Sequence, residues 1–305
     1  MDIRVKAAQV SVLSNSILVI LKLFVGILMG SVSVLSEAIH SGLDLIAALI
    51  AFFSVKRATQ PADEQHQFGH GKIENVSGVI EALLILVAAV WIIIEAYKRI
   101  VQGVAIESIH LGILVMAFAS LVNFFVARYL FRVAKKTDSI ALKADAMHLS
   151  TDVITSIGIM AGLIFIKITG IQMLDPLFAI AVAILIMKAS YDLTKEAFSP
   201  LLDAKLPDEE EEAIVNIIKT YSDSFIEFHN LRSRKSGSER HIDLHLVVPH
   251  SKPVQEVHGL CDHIEDKISD LFPSSHVLIH IEPCNKECTN CSSHDNCTEN
   301  PNKDF

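Results

Sequence analysis

Six stretches of this chain are mostly apolar and close to the roughly 20 residues that an α-helix needs to cross a bilayer. They cover about residues 8–29, 32–55, 76–97, 107–131, 143–167 and 174–197. The first two meet at "GSVS", so they are expected to form a tight hairpin. An even number of spans puts both termini on one side. That side would hold Arg4, Lys6, Lys56, Arg57, Lys72, Arg128, Arg132, Lys135, Lys136 and Lys143, against Lys98, Arg99 and Lys167 on the other. Basic residues stay cytoplasmic, so a multi-pass protein of the cell membrane is expected, with both termini inside. No small-residue cleavage site follows the first apolar run, which reads as a retained span and not a signal peptide.

The remainder of the chain is different in kind. From Pro200 onward there are ten basic and twenty acidic residues. That balance argues against nucleic acid as a partner. An acidic, His-containing segment can attract cations, or simply be soluble. "LPDEEEEAIVNIIKTYSD" has the Pro and acidic first turn of a helix start. "FIEFHNLRSRKSG" and "SERHIDLHLVV" alternate like strands around a turn at Lys235–Ser238. "KPVQEVHGLCDHIEDKISDLF" has helical periodicity, and "SSHVLIHIEP" reads as a last strand. The order αββαβ predicts a small α+β domain with helices on one face of a sheet. The expected division is a transmembrane domain over 1–199, a cytoplasmic α+β domain over 200–283 and a Cys-rich tail over 284–305.

Two short polar patterns interrupt the apolar runs. "SEAIHSGLDL" and "ADAMHLSTDV" each place a His four residues before an Asp. On a helix, that spacing puts both side chains on one face. An Asp at the centre of a spanning helix costs about 2.5–3.5 kcal/mol, so His40, Asp44, His148 and Asp152 should face one another or a wet cavity. Two imidazoles and two carboxylates form a four-coordinate set suited to a tetrahedral divalent metal, zinc above all. Helix-packing hydrogen bonds, or a proton relay without metal, are the other uses of such residues. No Lys or Arg counter-ion is expected beside the set. Asp145, three residues before His148, is placed to line the same cavity.

Two further features have metal chemistry of their own. "DEQHQFGHG" is a Gly-bearing loop whose two His lie four apart near a carboxylate, which reads as either a metal site or a solvated loop. The tail holds Cys284, Cys288, Cys291 and Cys297, spaced as a labile thiolate site for zinc or another soft metal, or else a non-ligating tail. Its C-x3-C-x2-C spacing also occurs in radical iron–sulfur loops, but no catalytic barrel surrounds it here. Cysteines gathered at one end do not form a disulfide framework, and a reduced compartment fits them.

Together the two His-x-x-x-Asp pairs, the six spans, "ADEQHQFGHGKIE", "LLDAKLPDEE", "HNLRSRKSG", "IDLHLVV" and "IHIEPC" resemble the cation diffusion facilitator family over roughly residues 6–284. The resemblance implies a homodimeric carrier that exports divalent metal ions in exchange for protons, with no organic cofactor and no enzymatic activity. It assigns His40, Asp44, His148 and Asp152 to the transport site, and Asp63, His66 and His70 to a loop-borne metal site. His229, His245, His258, His280 and Glu282 match metal positions in a soluble domain of metallochaperone, or ferredoxin-like, fold. The family position at Glu282 is often Asp. The His-Asp/His-Asp set is similar to that of zinc- and cadmium-selective members, where many bacterial relatives carry Asp at the position of His40. Zinc is therefore the expected substrate and regulatory ligand. Export of iron, manganese or cobalt, or a non-transporting membrane sensor, are the alternatives. A metalloenzyme is disfavoured because four protein ligands leave no open coordination position for a substrate.

Overall fold

The computed structural model of the protein describes residues 2–29, 32–102, 110–169 and 173–284. The chain divides into two compact units after Leu201. Six helices make up the described part of the first: α1 Ile3–Met29, α2 Val32–Ala58, α3 Lys72–Gln102, α4 His110–Thr137, α5 Ile140–Thr169 and α6 Leu174–Phe198. Five of them (α1, α2, α3, α4 and α6) are long and apolar enough to cross a membrane. The fifth expected span, α5, does not reach that standard among the described residues. Lys143, Asp145 and Asp152 crowd its N-terminal half. The start of the fourth expected span, 107–109, lies outside the described residues.

Large apolar side chains cover the outside of this unit. Leu13, Ile17, Phe24, Val87, Trp91, Phe125 and Leu185 are all exposed. In water such a belt would be an aggregation surface, and against lipid it is the expected exterior. The interior relies on small residues. Ala7, Ala8, Ala127, Ala141 and Ala146 pack with Val55, Leu130, Leu142 and Leu149 where α1, α2, α4 and α5 meet. Ala82, Ala89, Ala144 and Ala197 do the same for α3, α5 and α6. Small side chains let backbones approach, which is how helices associate where no hydrophobic drive operates. Interhelical hydrogen bonds add to this: Ser190 Oγ donates to the Ala82 carbonyl at 2.6 Å, and Asn75 Nδ2 to the Ala197 carbonyl at 3.3 Å. At one end Arg4 of α1 meets the buried Glu74 of α3 at 3.1 Å, and Ser139 donates to the same carboxylate.

Glycine has a packing role at two contacts. A Cβ on Gly78 would lie 3.1 Å from Ala197 Cβ, and one on Gly158 only 2.8 Å from Val182 Cγ2.

The second unit contains α7 Asp208–Lys219, β1 Glu227–Ser236, β2 Glu239–Val248, α8 Val254–Leu271 and β3 Ser275–Pro283. This is the expected αββαβ order. The sheet runs β1-β2-β3, antiparallel between β1 and β2 and parallel between β2 and β3. Ile242, Leu244 and Leu246 of β2 are buried against Ile214 and Ile218 of α7 and Ile264 and Ile268 of α8. Four acidic residues fill the first turn of α7, where the helix dipole favours them. Gly237 (φ 60) takes the first place of the two-residue β1–β2 turn, where the type II′ geometry needs a positive φ. A bulge in β1 shifts the register between His229 and Arg232, with Asn230 at φ 52.

Glycine normally lowers helix stability by about 1 kcal/mol relative to alanine. At Gly42, where an added Cβ meets nothing within 4 Å, Gly42→Ala should leave the protein at least as stable. At Gly158 the clash with a branched, stiff Val182 reverses the sign, and Gly158→Ala should destabilise by about 1–3 kcal/mol. Thermal melts of the detergent-solubilised protein compare the two.

Candidate metal sites

Among the described residues, three groups of metal-competent side chains form, each in a different setting. In the first, α2 contributes His40 and Asp44, and α5 contributes His148 and Asp152. One ligand atom each from His40, Asp44 and Asp152 lies within 4.8 Å of the others. His148 Nε2 is 3.1 Å from Asp44 Oδ1, which ties the two helices together. Asp44 is 5% exposed and His148 9%, while His40 is open on one side. His148 Nδ1 and Asp152 Oδ2 are buried and make no hydrogen bond with any described residue. Buried polar atoms are almost always satisfied, so orphaned atoms on two residues of this set fit a site meant to hold something positive. Thr155 and Ser156 turn their hydroxyls back to the Asp152 carbonyl at 3.0 and 2.7 Å, leaving its carboxylate uncommitted to them.

The expectation that no basic side chain accompanies this set is corrected. Lys22 of α1 is 7% exposed and donates to Ser41 Oγ at 2.6 Å, beside His40, and its charge acts on Asp152. Glu81 of α3 and Asp145 of α5 are also buried and interact electrostatically. Sequence reading missed Lys22 and Glu81. The signal was present, since "ILVILKLFVG" and "GVIEALLILV" each carry one ionisable residue inside an apolar run.

The second group, Asp63, His66 and His70, occupies the loop between α2 and α3, again with ligand atoms within 4.8 Å of one another. Asp63 Oδ1 accepts the amides of Gln65 at 3.0 Å and His66 at 2.7 Å. The turn closes through Gly69, whose φ of 78 a side chain would resist. This brings His70 Nε2 to 3.1 Å from Asp63 Oδ2, and the two imidazole rings to 4.7 Å. The His66 amide above all, with the Gln65 amide and the His70 ring, holds the Asp63 carboxyl below its ordinary range.

The third group lies on the sheet face away from α7 and α8. The bulge places His229 directly opposite His245, and the parallel ladder places His280 beside His245. His245 Nδ1 is 2.7 Å from Glu282 Oε1, and His229 Nε2 is 3.6 Å from Glu282 Oε2. His280 Nε2 is 3.9 Å from the same carboxylate. His229, His245 and Glu282 form a compact triplet, with His280 at its edge. His258 does not join them: it is exposed on α8 and pairs with Asp262 at 3.0 Å, one helical turn away. Of the tail cysteines, Cys288, Cys291 and Cys297 lie outside the described residues.

The family model for the cation efflux transmembrane domain matches residues 8–202, and that for the cation efflux protein cytoplasmic domain matches 206–284. The uncharacterized transporter sll1263 of Synechocystis is 38% identical over 263 residues, 86% of this chain and 85% of that protein. The cation-efflux pump FieF of Yersinia pestis is 34% identical over 281 residues, 92% of this chain and 93% of FieF. A solved structure of the putative zinc transporter CzrB is 36% identical and covers 26% of this chain and 99% of its own, with a TM-score of 0.25. The chain belongs to the cation diffusion facilitator family. It is a multi-pass membrane protein and a cation efflux transporter, not an enzyme, and its cytoplasmic unit is of the family's dimerisation type.

The hydrogen bond from His245, with help from His229 and His280, holds Glu282 below its ordinary carboxylate value of 4.5. A folded-state value below the unfolded one stabilises the fold above the unfolded value and loses that contribution as pH falls through the folded one. Metal-free Glu282→Gln should therefore be less stable than the parent at neutral pH. The two should converge as pH falls below 4.5 and through the lowered folded-state value, as thermal melts across a pH series will read.

Proposed function

We propose that this chain exports zinc, and cadmium with it, across the cell membrane in exchange for protons, as a homodimer whose termini face the cytoplasm. The observation that carries the reading is the convergence of His40, Asp44 and Asp152 within 4.8 Å, with His148 held 3.1 Å from Asp44. Mixed imidazole and carboxylate donors in a four-member set suit tetrahedral zinc, whereas iron(II) and manganese(II) prefer more oxygen ligands and higher coordination. On this reading α5 also spans the membrane, bringing the number of spans to six, and its charges are accommodated because they face the site and not lipid.

Ligation requires neutral imidazoles and ionised carboxylates, so cation and protons compete for the same atoms. Facing the cytoplasm, the site gives up protons and takes metal. Facing outward, protons displace the metal. Moving a divalent cation out against 100 mV costs about 4.6 kcal/mol, at about 2.3 per charge. One incoming proton offsets half of that, and a proton gradient adds more, so exchange is workable where simple outward release is uphill. The Asp63–His66–His70 loop and the His229–His245–His280–Glu282 face are read as cytoplasmic metal sites that sense the ion and bias the dimer, with zinc as regulatory ligand.

Proton flux driven by zinc, cadmium, iron, manganese or cobalt in proteoliposomes tests the reading. Zinc and cadmium should drive flux, and iron, manganese and cobalt should not. Asp152→Ala should fall to the level of empty liposomes while keeping its elution profile and melting temperature. Normal transport by that variant removes the site assignment. Metal binding with no flux under any gradient indicates a sensor, and flux with iron or manganese alone moves the substrate.

A further inference from the structure

Two buried carboxyl groups of the membrane unit stand outside the four-member set and take no part in the exchange scheme above. Glu81 of α3 is 0% exposed and Asp145 of α5 is 1% exposed. Ser77, one turn earlier on α3, donates to Glu81 Oε1 at 3.5 Å. Glu81 Oε2 and both oxygens of Asp145 are buried and make no hydrogen bond with any described residue. The Ser11 hydroxyl of α1 acts on Asp145 without reaching hydrogen-bond geometry. Buried carboxyl oxygens left this bare are rare, and they call for a ligand of their own.

The charges around the two groups say what that ligand is. Asp145 acts on Glu81, and His148 acts on Asp145. The other ionisable side chains on the surrounding helices turn elsewhere. On α1, Arg4 pairs with Asp2 and Glu74, Lys6 is exposed, and Lys22 donates to Ser41. On α2 and α4, Lys56, Arg57, Arg128, Arg132, Lys135 and Lys136 are exposed, and His40 and Asp44 belong to the transport set. Lys143 of α5 pairs with Glu196 of α6, and Lys188, Asp192 and Lys195 of α6 are exposed. Among the described residues, then, neither carboxyl meets a Lys or Arg charge. Ionising both would set like charges side by side where water solvates neither. A divalent ion could offset them, but it needs four or more ligands. Neither carboxyl belongs to a described group of three or more metal-competent atoms within 4.8 Å of one another. A proton needs a single oxygen.

We propose that Glu81 and Asp145 form a proton site separate from the metal ligands: the pair holds one proton while the transport site holds no metal, and gives it up when a divalent cation binds there. The proposal rests on the exchange reading above and adds that part of the proton count resides outside the ligand set. Its coupling to the metal follows from the helix. Asp145 lies three residues before His148, on the same face of α5. A dication held by His148 and its partners brings positive charge to that side of Asp145, which then stands ionised without its proton. Departure of the metal removes the charge and the proton returns.

Counting protons released on zinc binding tests this. Metal-free, detergent-solubilised full-length protein is titrated with zinc in weakly buffered solution carrying a pH indicator. Glu81→Gln and Asp145→Asn should each bind as many zinc ions as the parent and release about one proton fewer per chain. The other metal groups keep their own contributions, so the difference between parent and variant isolates the pair. Glu81→Asp, which keeps a carboxyl, should keep the parent's count. A purely structural role would move the melting temperature or the zinc affinity and leave the count alone. Infrared difference spectra with and without zinc give a second readout: a protonated-carboxyl carbonyl band that the parent loses on binding zinc should be missing from the difference spectra of both amide variants. Release equal to the parent's by either amide variant overturns the proposal. So does a variant that binds one zinc fewer, which makes the pair a metal site. A parent that binds zinc and releases no proton at all removes the exchange reading as well.

Discussion

Everything in the membrane unit depends on the cost of leaving a charge alone in lipid. That cost is why Asp44 and Asp152 cannot point outward, and why the helices that carry them must meet. The link between His148 and Asp44 at 3.1 Å is where they do. Alanine-rich contacts where α1, α2, α4 and α5 meet are the means, because a bulkier interface would hold the helices apart. The polar residues thus dictate the packing here, reversing the usual order in a water-soluble core, where apolar burial dictates and polar groups adapt.

Lys22 changes the electrostatics of that meeting. A basic side chain tied to Ser41 contributes positive charge that acts on Asp152, which Asp44 otherwise repels across a poorly screened space. It lowers the cost of the site when no cation is present, and by the same charge opposes a divalent ion that arrives. A carrier must release what it binds, and a built-in positive charge beside Asp152 keeps the site from maximal affinity.

The membrane pairs were legible in the sequence because helical periodicity fixes the angle between residues four apart. Nothing about His40 and Asp44, or His148 and Asp152, required knowledge of the fold beyond that. The αββαβ order was legible for a similar reason, through Gly237 at a hairpin and strict alternation in β2. The missed features depend on long-range register. Alternation through "EFHNLRSRKS" cannot say that a bulge at Asn230 will set His229 across from His245, although the three-residue gap between Phe228 and Leu231, which both pack against the core, is its trace. Cys284 looked like tail because its anchor is a backbone bond to Val248, invisible to composition. His258 shares the residue type of its expected partners, and only its place on α8 separates it from them.

The three histidine–carboxylate groups use the same donors in three environments, and the environments decide how each behaves when empty. The Asp63 side chain is 43% exposed and that of Glu282 35%, so water satisfies their spare lone pairs and either group can stand vacant at little cost. The Asp44 side chain is 6% exposed, with orphaned atoms on His148 and Asp152 beside it. An empty, fully ionised state there is expensive, so occupancy by a cation or by protons is close to obligatory. On the proposed exchange reading, a site that must always hold one or the other has that exchange built into its solvation, before any conformational change is considered. The two exposed groups have no such compulsion.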